Sequence, residues 1–509
     1  MTNELSILCY DAGMQHGLMN KFSIADYGVL LCMLVISCGI GMFYGFFGQK
    51  QKTSSDFLLG GSQMGTYPMA LSLAASFITA IELLGNPAEM FNYGAKYWLI
   101  CLPFIIVVPI TSRLYLPVFM KLRLTSSYEY FEMRFNPAVR TMAAALYILQ
   151  MASISNSRLT DYFSEHSCIM GKSRASFMDT FSIETMLFSL LKKLRAFFSF
   201  MPDPTIRHSV WSILIGGTIY WVSMFCANQA SIQKYLSVEK ISQARISAAL
   251  IVIYTINFYT GMVIYSEYAA CDPVQSEVIK ASDQLLPLYT MNVLGKYQGL
   301  PGLFVAGIFA ASLGFNGMVG GVTLGLFSLG MFVPWGNSKG ALVGASVSLA
   351  LVLWIGIGTQ IAQAHGFEPE EKKSISVAGC PCFNATESPS GGLEPFDNSS
   401  VFYLYRISYL WYSVIGFMGT LIIGLTVSLL THNPEDPSRI HPDLLSPPFR
   451  AWYESFTNDL KEKLHLPIQV RLFPLVGLQY CSAKKKALSV FKPFHESQKL
   501  ALCTKKAHL

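Results

Sequence analysis

The stretch Ala70-Leu-Ser-Leu-Ala-Ala-Ser-Phe-Ile-Thr-Ala-Ile-Glu82-Leu-Leu-Gly85-Asn86-Pro87-Ala-Glu89 sets small and polar residues, a glycine and a proline inside one apolar run. A helix broken at Gly85-Asn86-Pro87 would free backbone carbonyls, hard oxygen donors suited to a monovalent cation. The competing reading is close helix packing through small residues. A carboxylate deep in a bilayer costs roughly 2.5–3.5 kcal/mol, so it usually serves something. Glu82, nearer the centre, is therefore expected to face a cavity, and Glu89, nearer the outer end, to be solvated. A second polar group follows at Arg207-His208, Gly216-Gly217, Asn228-Gln229 and Gln233-Lys234. Asn228 and Gln229, near a helix end, are candidate hydrogen-bond partners for a polar substrate, or else a plain interfacial cap. His208 reads as an ordinary interfacial histidine. No Ser/His/Asp arrangement, phosphate loop or hydrolytic carboxylate pair stands out, which argues against an enzyme.

The elements that must carry these residues are membrane spans. Of 509 residues, 52% are hydrophobic and only 13% charged, against roughly 25% charged in soluble domains. Nine apolar stretches, at 27–47, 64–91, 96–119, 138–154, 211–229, 245–267, 301–334, 341–362 and 409–431, approach or exceed the roughly 20 residues a crossing needs. The fourth is short. The seventh is overlong for one straight helix at about 1.5 Å per residue. The net charge of +6 lacks the concentrated basic face of a nucleic-acid binder. Eleven cysteines show no metal-ligand spacing. Cys271, Cys380 and Cys382 fall in expected external loops, where pairing and free thiols are both open.

Lys and Arg resist translocation. Lys50, Lys52, Lys121, Arg123, Arg134, Arg140, Lys234, Lys240, Arg245 and the basic tail after residue 431 therefore place their loops inside and the N-terminus, 1–26, outside. The expected layout is spans one to four over 27–152, an atypical basic linker at 153–207, a second membrane part at 208–362, an external loop at 363–408, a last span at 409–431 and a cytoplasmic tail at 432–509. The external loop carries sequons at Asn384 and Asn398. Part of the linker, Glu184 to Phe200, could lie on a membrane surface.

Several ordered motifs resemble the sodium:solute symporter family: Asp56-Phe-Leu-Leu-Gly-Gly61, the second span, and Leu124-Thr-Ser-Ser-Tyr-Glu-Tyr-Phe-Glu-Met-Arg-Phe135. Asp203-Pro204 with Arg207-His208 and Trp211, Asn228-Gln229 with Gln233, Asp283-Gln284, Leu300-Pro-Gly-Leu-Phe304 and Gly317-Met-Val-Gly-Gly321 fit the same pattern. The branch most similar is that of animal multivitamin and monocarboxylate transporters. The resemblance implies an all-α polytopic membrane protein with a leucine-transporter-like inverted-repeat core. It implies sodium-coupled symport of small organic anions, monocarboxylates or vitamins such as biotin and pantothenate, across the plasma membrane, with no organic cofactor. By the same resemblance the sodium ligands are backbone groups of Ala75, Ile78 and Ala311, completed by two side-chain hydroxyls.

The chain departs from that pattern twice. Gly314 and Phe315 stand where the two hydroxyls are expected, and 301–334 reads as two half-helices fused across a missing helix. After Gln150, further helices give way to 151–201. Both losses preserve parity, leaving about nine crossings. Sodium should then bind weakly, and a non-transporting form that associates with a full-length relative is the alternative. Retention in the endoplasmic reticulum is the competing destination.

Overall fold

The computed structural model describes residues 23–47, 72, 80–122, 124, 126–155, 200–237, 243–276, 278–279, 281–295, 297–311, 317–365, 367, 401–431 and 441–456. Among them the regular structure is helical, with no strand. In order the helices are α1 (Ile24–Phe47), α2 (Ala80–Tyr93), α3 (Lys96–Leu122), α4 (Glu129–Arg134), α5 (Pro137–Ser155), α6 (Ser212–Cys226) and α7 (Gln229–Leu236). There follow α8 (Gln243–Tyr268), α9 (Leu285–Leu294), α10 (Leu300–Ala311), α11 (Gly317–Phe332), α12 (Ser338–Ala364), α13 (Leu410–Leu430) and α14 (Pro447–Ser455).

Helix stands in each of the nine expected stretches. By length and composition, α1, α3, α12 and α13 are able to cross a membrane, while Pro137–Leu149, α6 and Val319–Phe332 are shorter apolar helices. The α1 helix makes the solvent plain. Ile24, Leu31, Val35, Ile40, Met42, Phe43 and Phe46 are all exposed, and a helix apolar all round needs lipid around it. The stretch expected as one fused span, 301–334, contains two helices with separate partners. The first, α10, packs on α1, and α11 packs on α13 and α12.

Small residues set the spacing within the bundle, as expected where lipid supplies no hydrophobic drive between helices. A Cβ on Gly321 of α11 would sit 2.2 Å from the Ser413 carbonyl oxygen of α13, and one on Gly344 of α12 would sit 2.8 Å from Gly424 Cα. Cross-contacts rise together along α11 and α13 (Gly321 with Ser413, Gly325 with Thr420), so these two run parallel. In α12 and α13 they run oppositely (Gly340 with Ser428, Gly419 with Ser348). The α2 and α8 helices are also parallel: the Asn257 amide meets Glu82, Gly261 meets Pro87 and Met90, and Tyr265 meets Phe91.

Asp26 ties α1 to α10. Its Oδ1 accepts the N–H groups of Gly299 and Gly302 at 2.9 and 3.0 Å, and its Oδ2 accepts Ser23 N–H at 2.8 Å. The approach is possible because Gly302 has no side chain; a Cβ there would lie 2.3 Å from the Asp26 carbonyl oxygen. Losing a cap of this kind costs about 1–2 kcal/mol. Asp26→Ala is expected to lower the melting temperature of the detergent-purified protein, whereas Asp26→Asn, which keeps an acceptor oxygen, should lower it less. Equal melting of all three forms would remove Asp26 from the α1–α10 joint.

Candidate functional site

The α2 helix continues through Gly85-Asn86-Pro87 to Tyr93, so the break expected at those residues is not there. Proline forfeits one backbone bond and crowds the preceding turn. That turn is braced from α8, where Asn257 Nδ2 donates to the Glu82 carbonyl at 2.7 Å. Gly261 also lets α8 close in, since a Cβ there would meet Pro87 Cα at 2.8 Å. The expected sodium ligands Ala75 and Ile78 lie outside the described residues, as do Gly314, Phe315 and the sequon residues Asn384 and Asn398. Ala311 is the last residue of α10. Just before the expected carbonyl ligands, Ser72 O accepts Lys234 Nζ of α7 at 3.0 Å.

Four helices converge on Glu82. Asn86 Nδ2, one turn along α2, donates to Glu82 Oε2 at 3.0 Å. The phenols of Tyr254 on α8, Tyr97 on α3 and Tyr220 on α6 all lie within reach of its charge. Packed rings adjoin the group: Phe104 lies 4.7 Å from Trp221 in a tilted arrangement, and Trp221 meets Tyr254 edge-on at 5.5 Å. Tyr254 is buried, while Glu82, Tyr97 and Tyr220 are partly accessible.

Seven residues beyond Glu82 and on the same helix face, Glu89 meets a second cluster. Arg207 donates through Nε to Glu89 Oε1 at 2.6 Å and through Nη2 to Oε2 at 3.1 Å. His208 Nε2 lies 3.2 Å from Glu89 Oε1 and 3.4 Å from the Tyr409 hydroxyl. The guanidinium is flanked by the rings of Tyr93 and Tyr409 at 4.5 and 5.0 Å. Tyr97 bridges the two clusters, its ring 4.9 Å from that of His208. Opposite charge beside Arg207 raises its pKa above the ordinary guanidinium value despite burial, so it is a cation at every physiological pH.

The sequence motif around Asp203 builds this arrangement. Asp203 Oδ1 accepts Thr205 N–H and Oγ1 at 2.8 and 2.7 Å, closing an Asx turn after which Arg207 emerges. Those bonds hold the Asp203 carboxyl below its ordinary pKa. Ser408, just before α13, donates its N–H to Pro204 O at 3.0 Å and its Oγ to Arg207 O at 2.7 Å. Glu89 is thus ion-paired rather than simply solvated, and His208, 1% exposed, is buried rather than interfacial. Burial makes the pairing necessary, because a lone carboxylate there would lose its water without compensation. None of the five tyrosines stands out as a site residue in the sequence. Their signal, a hydroxyl on an otherwise apolar span, is common and weak.

The other candidates lie at the start of α7. Asn228 is the N-cap of α7, accepting Ala230 N–H at 2.8 Å. Gln229 Oε1 accepts Ser127 N–H at 2.7 Å, fastening the 124–135 motif to α7. No group of three or more His, Cys, Asp and Glu able to hold a metal occurs among the described residues. Cys271 is disulfide-bonded, its partner lying outside those residues. Because α2 and α8 run parallel, the Glu89 end of α2 and Cys271, just beyond α8, share one end of the molecule. The start of α13 is there too, since Tyr409 touches His208.

Helices apolar enough for lipid, joined around buried polar clusters, define a multi-pass membrane protein. A family model described as sodium:solute symporter family matches residues 57–158. The human sodium-coupled monocarboxylate transporter 1 is 31% identical, over 81% of this chain and 88% of its own. The zebrafish (Danio rerio) sodium-coupled monocarboxylate transporter 2 is also 31% identical, over 84% and 87%, and the human sodium/iodide cotransporter 27%, over 83% and 86%. The human monocarboxylate match runs over 543 residues, more than the 509 of this chain, so segments of that relative have no counterpart here. A solved Na+-coupled sialic acid symporter, in a substrate-bound outward-open state, shares the fold with a TM-score of 0.54 at 18% identity, over 81% of this chain and 99% of its own. This chain belongs to the sodium:solute symporter family.

Proposed function

We propose that this chain moves small organic anions, monocarboxylates before vitamins, across the plasma membrane with sodium, through a sodium site weaker than that of a full-length relative. The observation that carries the substrate class is likeness to sodium-coupled monocarboxylate transporters over more than four fifths of both chains. The end of the molecule bearing Cys271 and the Glu89 cluster is assigned to the outside, where disulfides persist; this agrees with the loop charges. Sodium is a hard cation that needs oxygen ligands in place of its water, and Gly314 and Phe315 supply none from their side chains. The coupling sodium is proposed to use backbone carbonyls of Ala75 and Ile78, where a carboxylate such as Glu82 would favour a cation.

The aligned length that exceeds this chain favours a second reading, a form that does not transport and instead assembles with a full-length relative. Uptake of labelled lactate by cells showing the chain at their surface separates the two. Symport predicts sodium-dependent uptake inhibited by other monocarboxylates and not by their amides, with biotin and pantothenate weaker competitors. No uptake above background, together with co-purification of a full-length relative, would establish the second reading and end the first.

A further inference from the structure

We propose that Arg207 is the outer docking point for the carboxylate of an anionic substrate, and that Glu89 occupies that place until the substrate arrives. This rests on the organic-anion reading above. Arg207 and Glu89 already form the side-on, two-bond pair that a guanidinium makes with any carboxylate, at 2.6 and 3.1 Å. The exchange is prepared on both sides. The rings of Tyr93 and Tyr409 lie 4.5 and 5.0 Å from the guanidinium, so its position does not depend on Glu89 alone. His208 Nε2 gives Glu89 a second partner at 3.2 Å, so the released side chain is not left bare. The side chains of Arg207 and Glu89 keep 19% and 16% of their surface accessible, and Tyr409 beside them is 37% exposed, so a small solute can reach the pair. Inward from it, the phenols of Tyr97 and Tyr220 lead toward Glu82. An ion pair that only stapled α2 to the 200–209 loop would explain the bonds but needs no accessible ring beside them.

The sign of one substitution separates docking from stapling. Removing the internal competitor by Glu89→Gln leaves a partly buried guanidinium without its anion, and an external carboxylate should bind better. Binding of labelled lactate to the purified full chain, with unlabelled lactamide as the uncharged competitor, reads this directly. E89Q is expected to lower the half-saturating lactate concentration by about tenfold. R207Q should raise it by at least about tenfold, and the E89Q/R207Q double variant should resemble R207Q. Lactamide should compete equally poorly in every form. Unchanged or weaker lactate binding in a monodisperse E89Q protein overturns the proposal, as does no lactate binding to wild type and E89Q alike. Lactate binding that shifts as stated, without uptake into proteoliposomes, sinks the symport reading and leaves this one standing. Uptake with affinity indifferent to both substitutions does the reverse.

Discussion

Replacing Arg134 by leucine is expected to remove the folded protein rather than trim its activity. Arg134 is 8% exposed and spends its donors on the end of α11: Nε on Gly330 O at 2.9 Å, Nη2 on Val333 O at 2.9 Å and Pro334 O at 3.4 Å. The last carbonyls of a helix lack a further turn to pair with, although Val333 O also accepts Gly336 N–H at 3.2 Å. The cation also complements the negative end of the helix dipole. Hydrogen bonds to a charged group contribute about 1.5–3 kcal/mol each, and orphaned buried acceptors keep their full desolvation penalty. Arg134→Leu should therefore lose at least about 3 kcal/mol, a large part of a typical domain's stability. The neighbourhood offers little compensation. Tyr130 donates to Leu444 O at 3.1 Å and Ser446 N–H to Met331 O at 3.1 Å, so the 441–456 segment is docked on the same corner. Size-exclusion profiles of the solubilised variant should show aggregate in place of the monodisperse peak, with Arg134→Lys intermediate. A monodisperse Leu variant of native melting temperature would refute this account of the corner.

The second large effect is expected at Glu82. Glu82→Gln keeps an oxygen for Asn86 Nδ2 and leaves the Asn257 bond to the backbone carbonyl untouched, so the fold should survive. What disappears is a negative charge deep in the membrane. At an effective dielectric near 20, a unit charge about 6 Å from a bound cation contributes about 3 kcal/mol. With screening by water that enters the site, the sodium concentration for half-maximal uptake should still rise at least tenfold, about 1.4 kcal/mol. Lactate affinity should hold or improve, because an anion no longer shares the site with a carboxylate. Sodium activation identical to wild type would show that Glu82 does not serve the coupling ion.

The spans were legible because lipid demands long apolar runs, as in α1 and α13. Glu82 was legible because a carboxylate in such a run is rare. The cap at Asn228 was one of two open readings, since Asn before a helix is a local signal. The Glu89–Arg207 pair was not legible: 118 residues separate its members, and only the parallel course of α2 beside α8 and the turn at Asp203 bring them together. Local propensity favours a break at Pro87, and the brace that keeps the helix intact comes from Asn257 and Gly261, far along the chain. Tyr97, Tyr220, Tyr254 and Tyr409 were hidden because each alone is an ordinary membrane aromatic.

Proteoliposomes holding only this purified chain decide whether it carries out sodium-coupled anion transport through a weakened sodium site. Labelled lactate uptake is measured against external sodium, beside a full-length monocarboxylate transporter treated alike. Uptake should be driven by an inward sodium gradient and abolished by choline replacement, with half-activation at a sodium concentration at least about tenfold higher than the relative's. Uptake indifferent to sodium, no uptake at all, or a sodium half-activation equal to the relative's would contradict it.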